Sequence, residues 1–331
     1  MTLGTLADAT RWAPPDAIAF VGGESSSCGG IARLLRRAVG EVSQVTTLEQ
    51  LEDVSAFALV AVDYDALSPE EQADMVASFA LRSNRPTLLL LSERNVKDDL
   101  ALLFGSRILT NMLVVDASGP DASDLLVTVQ KIRHGEIFGL EKYFVWGVEP
   151  RSLSVTSSRQ KGATIDEIDA YVRRIGVTSR LRSLIRTVAD EFLSNALYNA
   201  PVNPDGSSRY GSTPRTEVVE LSPGERVEVR YCCDGRRFGL STTDPFGSLA
   251  PNILQDYLAR AFRAGPDQIS ETPGGAGLGF YQILGSLSHF VVNIDPGRRT
   301  EMIGLVDVSG SFRTFASGGK SFNIFVTERS R

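Results

Sequence analysis

Apolar positions along the chain fall into two regimes. Between residues 16 and 135, short apolar runs alternate with stretches of helical spacing. AIAFVGG (17–23), FALVAVDYD (57–65), PTLLLLS (86–92) and NMLVV (111–115) read as strands, with QVTT (44–47) as a shorter one. A run such as LLLL has no polar alternation, which fits a strand covered on both faces. Helical spacing marks 28–40, 69–83, 97–105 and 122–135, and the second of these has Pro and two acids in its first turn. Five strands separated by helices predict a parallel, doubly wound, flavodoxin-like sheet.

From residue 164 the pattern changes. Two helices (164–176 and 179–200) precede a polar loop running to about residue 224. Strands at 226–233 and 237–244 come next, then a helix (251–264), a glycine-rich turn, a second helix (278–288), and strands at 290–296, 300–308 and 321–327. This order predicts an α/β sandwich with a largely antiparallel sheet. Residues 136–163 read as a junction, whose Ser-rich, basic end (152–162) is expected to be an exposed linker. The expected organisation is an extension (1–15), a first domain (16–135), the junction, and a second domain (164–331). A length of 331 residues gives each domain enough chain for its own core.

Composition narrows the function. The chain is 42% hydrophobic and 22% charged, ordinary values for a soluble globular protein. A net charge of -6 argues against non-specific nucleic-acid binding and against docking on an acidic membrane. With no secretory pattern at the N-terminus and no long apolar run, a cytoplasmic location without membrane insertion is expected. Cys28, Cys232 and Cys233 make no disulfide framework and read as reduced thiols, the last two on opposite faces of a strand. His134 and His289 are the only histidines, too few for a multi-His metal site.

Candidate chemistry lies in three segments of the second half. In DEFLSNALYNAP (190–201), Glu191, Asn195 and Asn199 recur every fourth residue, beside an apolar stripe of Leu184, Ile185, Val188, Phe192 and Ala196. Taken alone, this ridge could equally be a solvated helix face. In TTDPFGSL (242–249), Asp244 ends a strand and Gly247 comes three residues later in a turn. In PGGAGLGFYQIL (273–284), Gly275, Gly277 and Gly279 alternate just before an apolar helix. Such glycines let backbone approach a phosphate, and a helix N-terminus offers free N–H groups to anions.

Together the three segments resemble the Bergerat-fold (GHKL) ATPase superfamily of gyrase, heat-shock-90 chaperones, histidine kinases and MutL, over about residues 165–327. Glu191-Phe-Leu-Ser-Asn195 resembles its N-box, Asp244-Pro-Phe-Gly247 its first glycine box, and Gly275-Ala-Gly277-Leu-Gly279 its second. Within the superfamily the chain is most similar to the anti-sigma-factor serine kinases, and PGRRTE (296–301) resembles their strand-turn ending. The resemblance implies ATP and Mg²⁺ as cofactors. Asn195 would ligate the metal, Glu191 would act as catalytic base, and Asp244 would accept from the adenine amino group. Gly247, Gly275, Gly277 and Gly279 would line the nucleotide together with Asn199, and residues 250–274 would form a lid. Phe246 and Ser248 stand where the family carries glycines, and Asn199 where relatives often have a basic residue or His.

The first half resembles the receiver domains of response regulators. Asp63 (or Asp65) ends the third strand, where a receiver keeps its phospho-acceptor, and Ser92 could supply the hydroxyl after strand four. The acidic pair after strand one is replaced by Gly22, Gly23 and Glu24, and the Lys after strand five by Asp116. Without those groups the charge of a transferred phosphoryl is poorly stabilised. The implied role is a pseudo-receiver for protein recognition, with Asp63 a vestigial acceptor. His134 ends a helix without a histidine-kinase context, and His289 reads as a packing residue. The expectation is a bacterial-type, two-component-like signalling protein that phosphorylates a protein partner on Ser or Thr, or sequesters it, with homodimerisation open. A non-catalytic scaffold or adaptor is the alternative.

Overall fold

The computed structural model describes residues 17–23, 30–51, 54–80, 87–92, 97–116, 119–264 and 276–327. In the first half, strands β1 (Ile18–Val21), β2 (Val42–Val45), β3 (Leu59–Asp63), β4 (Thr87–Ser92) and β5 (Asn111–Asp116) run parallel in the order β2-β1-β3-β4-β5. That is the doubly wound order expected from the alternation of strand and helix. Helices α1 (Ile31–Val39) and α4 (Ala122–His134) pack on one face of this sheet, and α2 (Pro69–Ala80) and α3 (Lys97–Gly105) on the other. A two-residue strand β6 (Gly119–Pro120) pairs with β5. His134 closes α4 one residue before Gly135, which takes the left-handed conformation (φ 69°) that ends helices.

The second half adds β7 (Arg151–Val155), β8 (Val227–Cys233), β9 (Arg237–Asp244), β10 (His289–Asp295), β11 (Arg299–Asp307) and β12 (Ser321–Val326). Its helices are α5 (Lys161–Arg174), α6 (Ser179–Ser194), α7 (Pro251–Ala264), α8 (Ala276–Gly285) and the short α9 (Phe312–Ser317). The strand order is β12-β10-β11-β9-β8-β7, antiparallel except for the β10–β12 pair. The two halves share one sheet, because β5 pairs antiparallel with β12 through Met112–Phe322 and Asn111–Asn323. The whole is therefore a mixed α/β architecture with a single continuous sheet.

Alternation along β10, β11 and β12 assigns the two faces. Phe290, Val292, Ile294, Met302, Val306, Phe322 and Ile324 face the helices α5 to α8. The opposite face carries Val291, Ile303, Leu305 and Phe325, covered by Ile137, Leu140 and Tyr143 of the segment after α4. Cys232 and Cys233 point to opposite sides of β8 as expected, and burial pushes the Cys232 thiol up to about 12, leaving it protonated. Cys28 lies outside the described residues.

Two expectations are corrected. The segment 152–162 is not an exposed linker: it holds most of the edge strand β7 and the start of α5. Its polar residues are those of an edge, with Val155 and part of Leu153 turned inward and Ser152 Oγ donating to Glu228 Oε1 at 2.9 Å. His289 is not simple packing. Its Nδ1 lies 3.2 Å from Asp124 Oδ2, and its Nε2 faces Asn323 Oδ1. Asp124 also accepts two hydrogen bonds from Arg237, at 2.7 and 3.1 Å. Burial alone would raise the Asp124 pKa, but His289 and Arg237 outweigh it and hold the carboxyl well below the usual range. Among the described residues, no helix is long and apolar enough to cross a membrane.

Candidate functional site

Helix α6 is amphipathic, and Leu181, Ile185, Val188, Ala189, Phe192 and Leu193 bury its inner face. At Asn195–Asn199 the helix widens into a π turn, in which the Ala200 N–H reaches the Asn195 carbonyl at 2.9 Å. Such turns insert one extra residue, rotate the side chains beyond it, and recur at functional sites. Here the turn buries Asn195 and Tyr198 while leaving Asn199 half-exposed. Asn199 Nδ2 donates to Asn195 Oδ1 at 2.7 Å, which fixes both carboxamides.

Glu191 lies one turn before Asn195, and its carboxylate points at α8. A methyl group on Gly279 would stand 2.5 Å from Glu191 Oε2, so a side chain there would displace the carboxylate from this position. Burial raises the Glu191 pKa above the ordinary carboxylate value, aided by Asp190 and opposed by Arg215 and Lys161. Gly277 and Gly279 belong to the first turn of α8 rather than to a loop before it, which corrects the expected helix start at 278. Gly275 lies outside the described residues.

Asp244 ends β9 and is buried. Its Oδ1 accepts from the N–H groups of Phe246 (2.9 Å) and Gly247 (3.3 Å), so the carboxylate caps its own turn. Burial outweighs these bonds and the opposing effect of the Thr300 backbone and side chain, and pushes the carboxyl up to about 7. Gly247 is required by its backbone: φ is 58°, and a Cβ would meet the Asp295 carbonyl at 2.2 Å. Ser248 Oγ then donates to the Ala200 carbonyl at 2.7 Å, joining this loop to the end of the π turn. The three segments singled out in the sequence therefore converge around one end of α6.

Neither the family models nor the curated proteins match this chain. Its candidate site is defined by these side chains alone.

The remaining expectations land differently. Helix α7, expected as half of a lid, is packed against α3: Phe104 and Phe262 stack at 5.8 Å, Arg107 makes two hydrogen bonds to Asp256 (2.9 and 3.3 Å), and the buried Gln255 Nε2 donates to the Leu109 carbonyl at 2.7 Å. Residues 265–274 of that expected lid lie outside the described residues. Arg260 rests on Tyr257 at 4.8 Å on the exposed side of α7. Asp63 is buried at the end of β3, separated from β9 in the sheet by β4, β5, β12, β10 and β11. Ser92, the last residue of β4, donates from Oγ to Oδ1 of Asp65 in the turn after β3, at 3.2 Å. Glu24 lies outside the described residues. Sequence reasoning missed Arg215 and Lys161, which reach the site from a loop and a neighbouring helix with no motif to mark them.

Proposed function

We propose that the chain binds ATP with Mg²⁺ between α6, α8 and the β9–α7 loop, and acts in signal transduction on a protein partner. The partner is phosphorylated on Ser or Thr, or held, and the parallel half serves as a pseudo-receiver that recognises proteins. The observation that carries this reading is the close approach of Gly279 to Glu191, which leaves backbone rather than side chain beside a half-buried carboxylate. Two groups distant in sequence meet there, and the turn holding Asp244 and Gly247 is tied to the same helix end.

The residues fit such a ligand. Asn195 Oδ1 is a hard oxygen, held by Asn199 and suited to Mg²⁺. Gly275, Gly277 and Gly279 would line phosphates, with helix N–H groups at the start of α8 favouring their charge. The Asp244 carboxyl, whose Oδ1 is held by the turn, would meet the adenine amino group. Bound nucleotide supplies the phosphoryl group, and the metal neutralises its charge. Glu191, with its raised pKa, would take the proton from the attacking hydroxyl. Steady-state ADP production with ATP and Mg²⁺ tests this role. Glu191→Gln should keep nucleotide affinity and lose about a hundredfold or more in turnover. Wild-type turnover in that variant would remove Glu191 from the chemistry.

A second reading, a non-catalytic adaptor, is favoured by Phe246. This buried ring stands where a glycine is expected, with the Arg209 guanidinium 5.8 Å from its centre. In that case Glu191 and Asn195 are dispensable for partner binding.

A further inference from the structure

Arg215 lies in the long loop between the π turn and β8. Two cations act on the Glu191 carboxylate, Arg215 and Lys161. Lys161 is committed: its Nζ pairs with Asp190 Oδ1 at 2.9 Å and donates to Ser194 Oγ at 3.0 Å. Arg215 forms no ion pair among the described residues. Its Nη2 donates to a neutral acceptor, Asn199 Oδ1, at 3.2 Å, and its guanidinium sits 4.9 Å over the ring of Tyr198.

The backbone beneath it is anchored. The buried Tyr198 hydroxyl donates to the carbonyls of Arg215 (3.3 Å) and Glu217 (2.7 Å). The exposed side chain is therefore stacked and hydrogen-bonded in place, with no carboxylate of the described residues at ion-pair distance. Ordering a long cationic side chain costs conformational entropy, and no carboxylate among the described residues pairs with it to offset that cost. A guanidinium presents a planar fork of N–H donors that matches phosphate oxygens. Through Asn199 it is one side chain removed from Asn195 Oδ1, the oxygen offered to the metal.

We propose that Arg215 binds the phosphate chain of the nucleotide, so that the site selects a nucleoside polyphosphate over the bare nucleoside. This rests on the nucleotide-binding reading above and supplies, from a loop, a cation that the sequence of the π turn lacks at Asn199. Calorimetric titration of ATP and of adenosine, each with Mg²⁺, into wild type, Arg215→Ala and Arg215→Lys tests it. Arg215→Ala should weaken ATP by about tenfold or more and leave adenosine unchanged, and Arg215→Lys should recover part of the loss. Wild type that binds ATP, with Arg215→Ala binding it equally well, overturns this inference and leaves the nucleotide site standing. Equal losses for ATP and adenosine also overturn it, because they mark a structural role. Wild type that binds neither ligand overturns both the inference and the reading beneath it.

Discussion

At the scale of single residues, Asp244 is the group whose chemistry and stability are most directly linked. Its folded pKa of about 7 lies above the ordinary aspartate value because burial disfavours the charged form. A raised carboxylate pKa means that the folded state holds its proton more tightly than the unfolded state. Stability from this group is full below about pH 4 and is lost as pH rises through about 7. Asp244→Asn keeps an oxygen for the N–H groups of Phe246 and Gly247 but carries no charge. Urea unfolding at pH 4.5 and pH 8 should show the variant gaining on wild type at the higher pH, by about 3 kcal/mol. An equal difference at both pH values would show that Asp244 is not desolvated in the fold. Gly247 and Gly279 stood out in the sequence as box glycines, but the structural reasons for a glycine at each did not. One needs a left-handed φ, and the other yields space to a carboxylate 88 positions earlier in the chain (279 − 191). Arg215 was illegible, because its position depends on where Tyr198 anchors a loop.

At the scale of elements, periodicity located nearly every helix and strand because each has one buried stripe or face. The π turn could not be read, since the spacing of Glu191, Asn195 and Asn199 is that of an ordinary helix and only the Asn195–Ala200 hydrogen bond reveals the change. The edge strand β7 was hidden by its own composition: Arg, Ser and Ser suit an edge as well as a linker. The pairing of α3 with α7 was also hidden, because each helix shows an apolar stripe but not which partner it meets. Phe104 is fully buried at this contact, stacked on Phe262 of α7 and edge-on to Phe322 of β12 at 5.3 Å. Phe104→Ala removes a ring shared by three elements from both halves, and should cost about 3–5 kcal/mol in chemical unfolding. An unchanged midpoint would mean that α3 does not hold α7.

At the scale of the molecule, the sequence separated two regimes, and the fold joins them edge to edge. The strand types of each half were set by local patterning, but the β5–β12 seam depends on two paired positions of opposite halves. Polar residues specify that seam: Asn323 Nδ2 donates to Asn111 Oδ1 at 2.8 Å, and Asn323 Oδ1 faces the buried ring of His289. Beside it, the Lys131 ammonium meets Tyr143 Oη at 2.9 Å and Asn293 Oδ1 at 3.3 Å, while burial pulls its pKa down to about 7. Unpaired, each of these groups would be costly to bury, so the network favours one register over its neighbours. Joined in this way, the parallel half reaches α7, which comes directly after the loop that holds Asp244 and Gly247. Under the proposed function, this end of the second half takes a magnesium nucleotide. Calorimetric titration of ATP into the full chain, with and without Mg²⁺, tests it most directly. Saturable binding that strengthens with Mg²⁺ and loses that dependence in Asn195→Ala is the predicted result, and a wild-type chain that binds no ATP under either condition would contradict it.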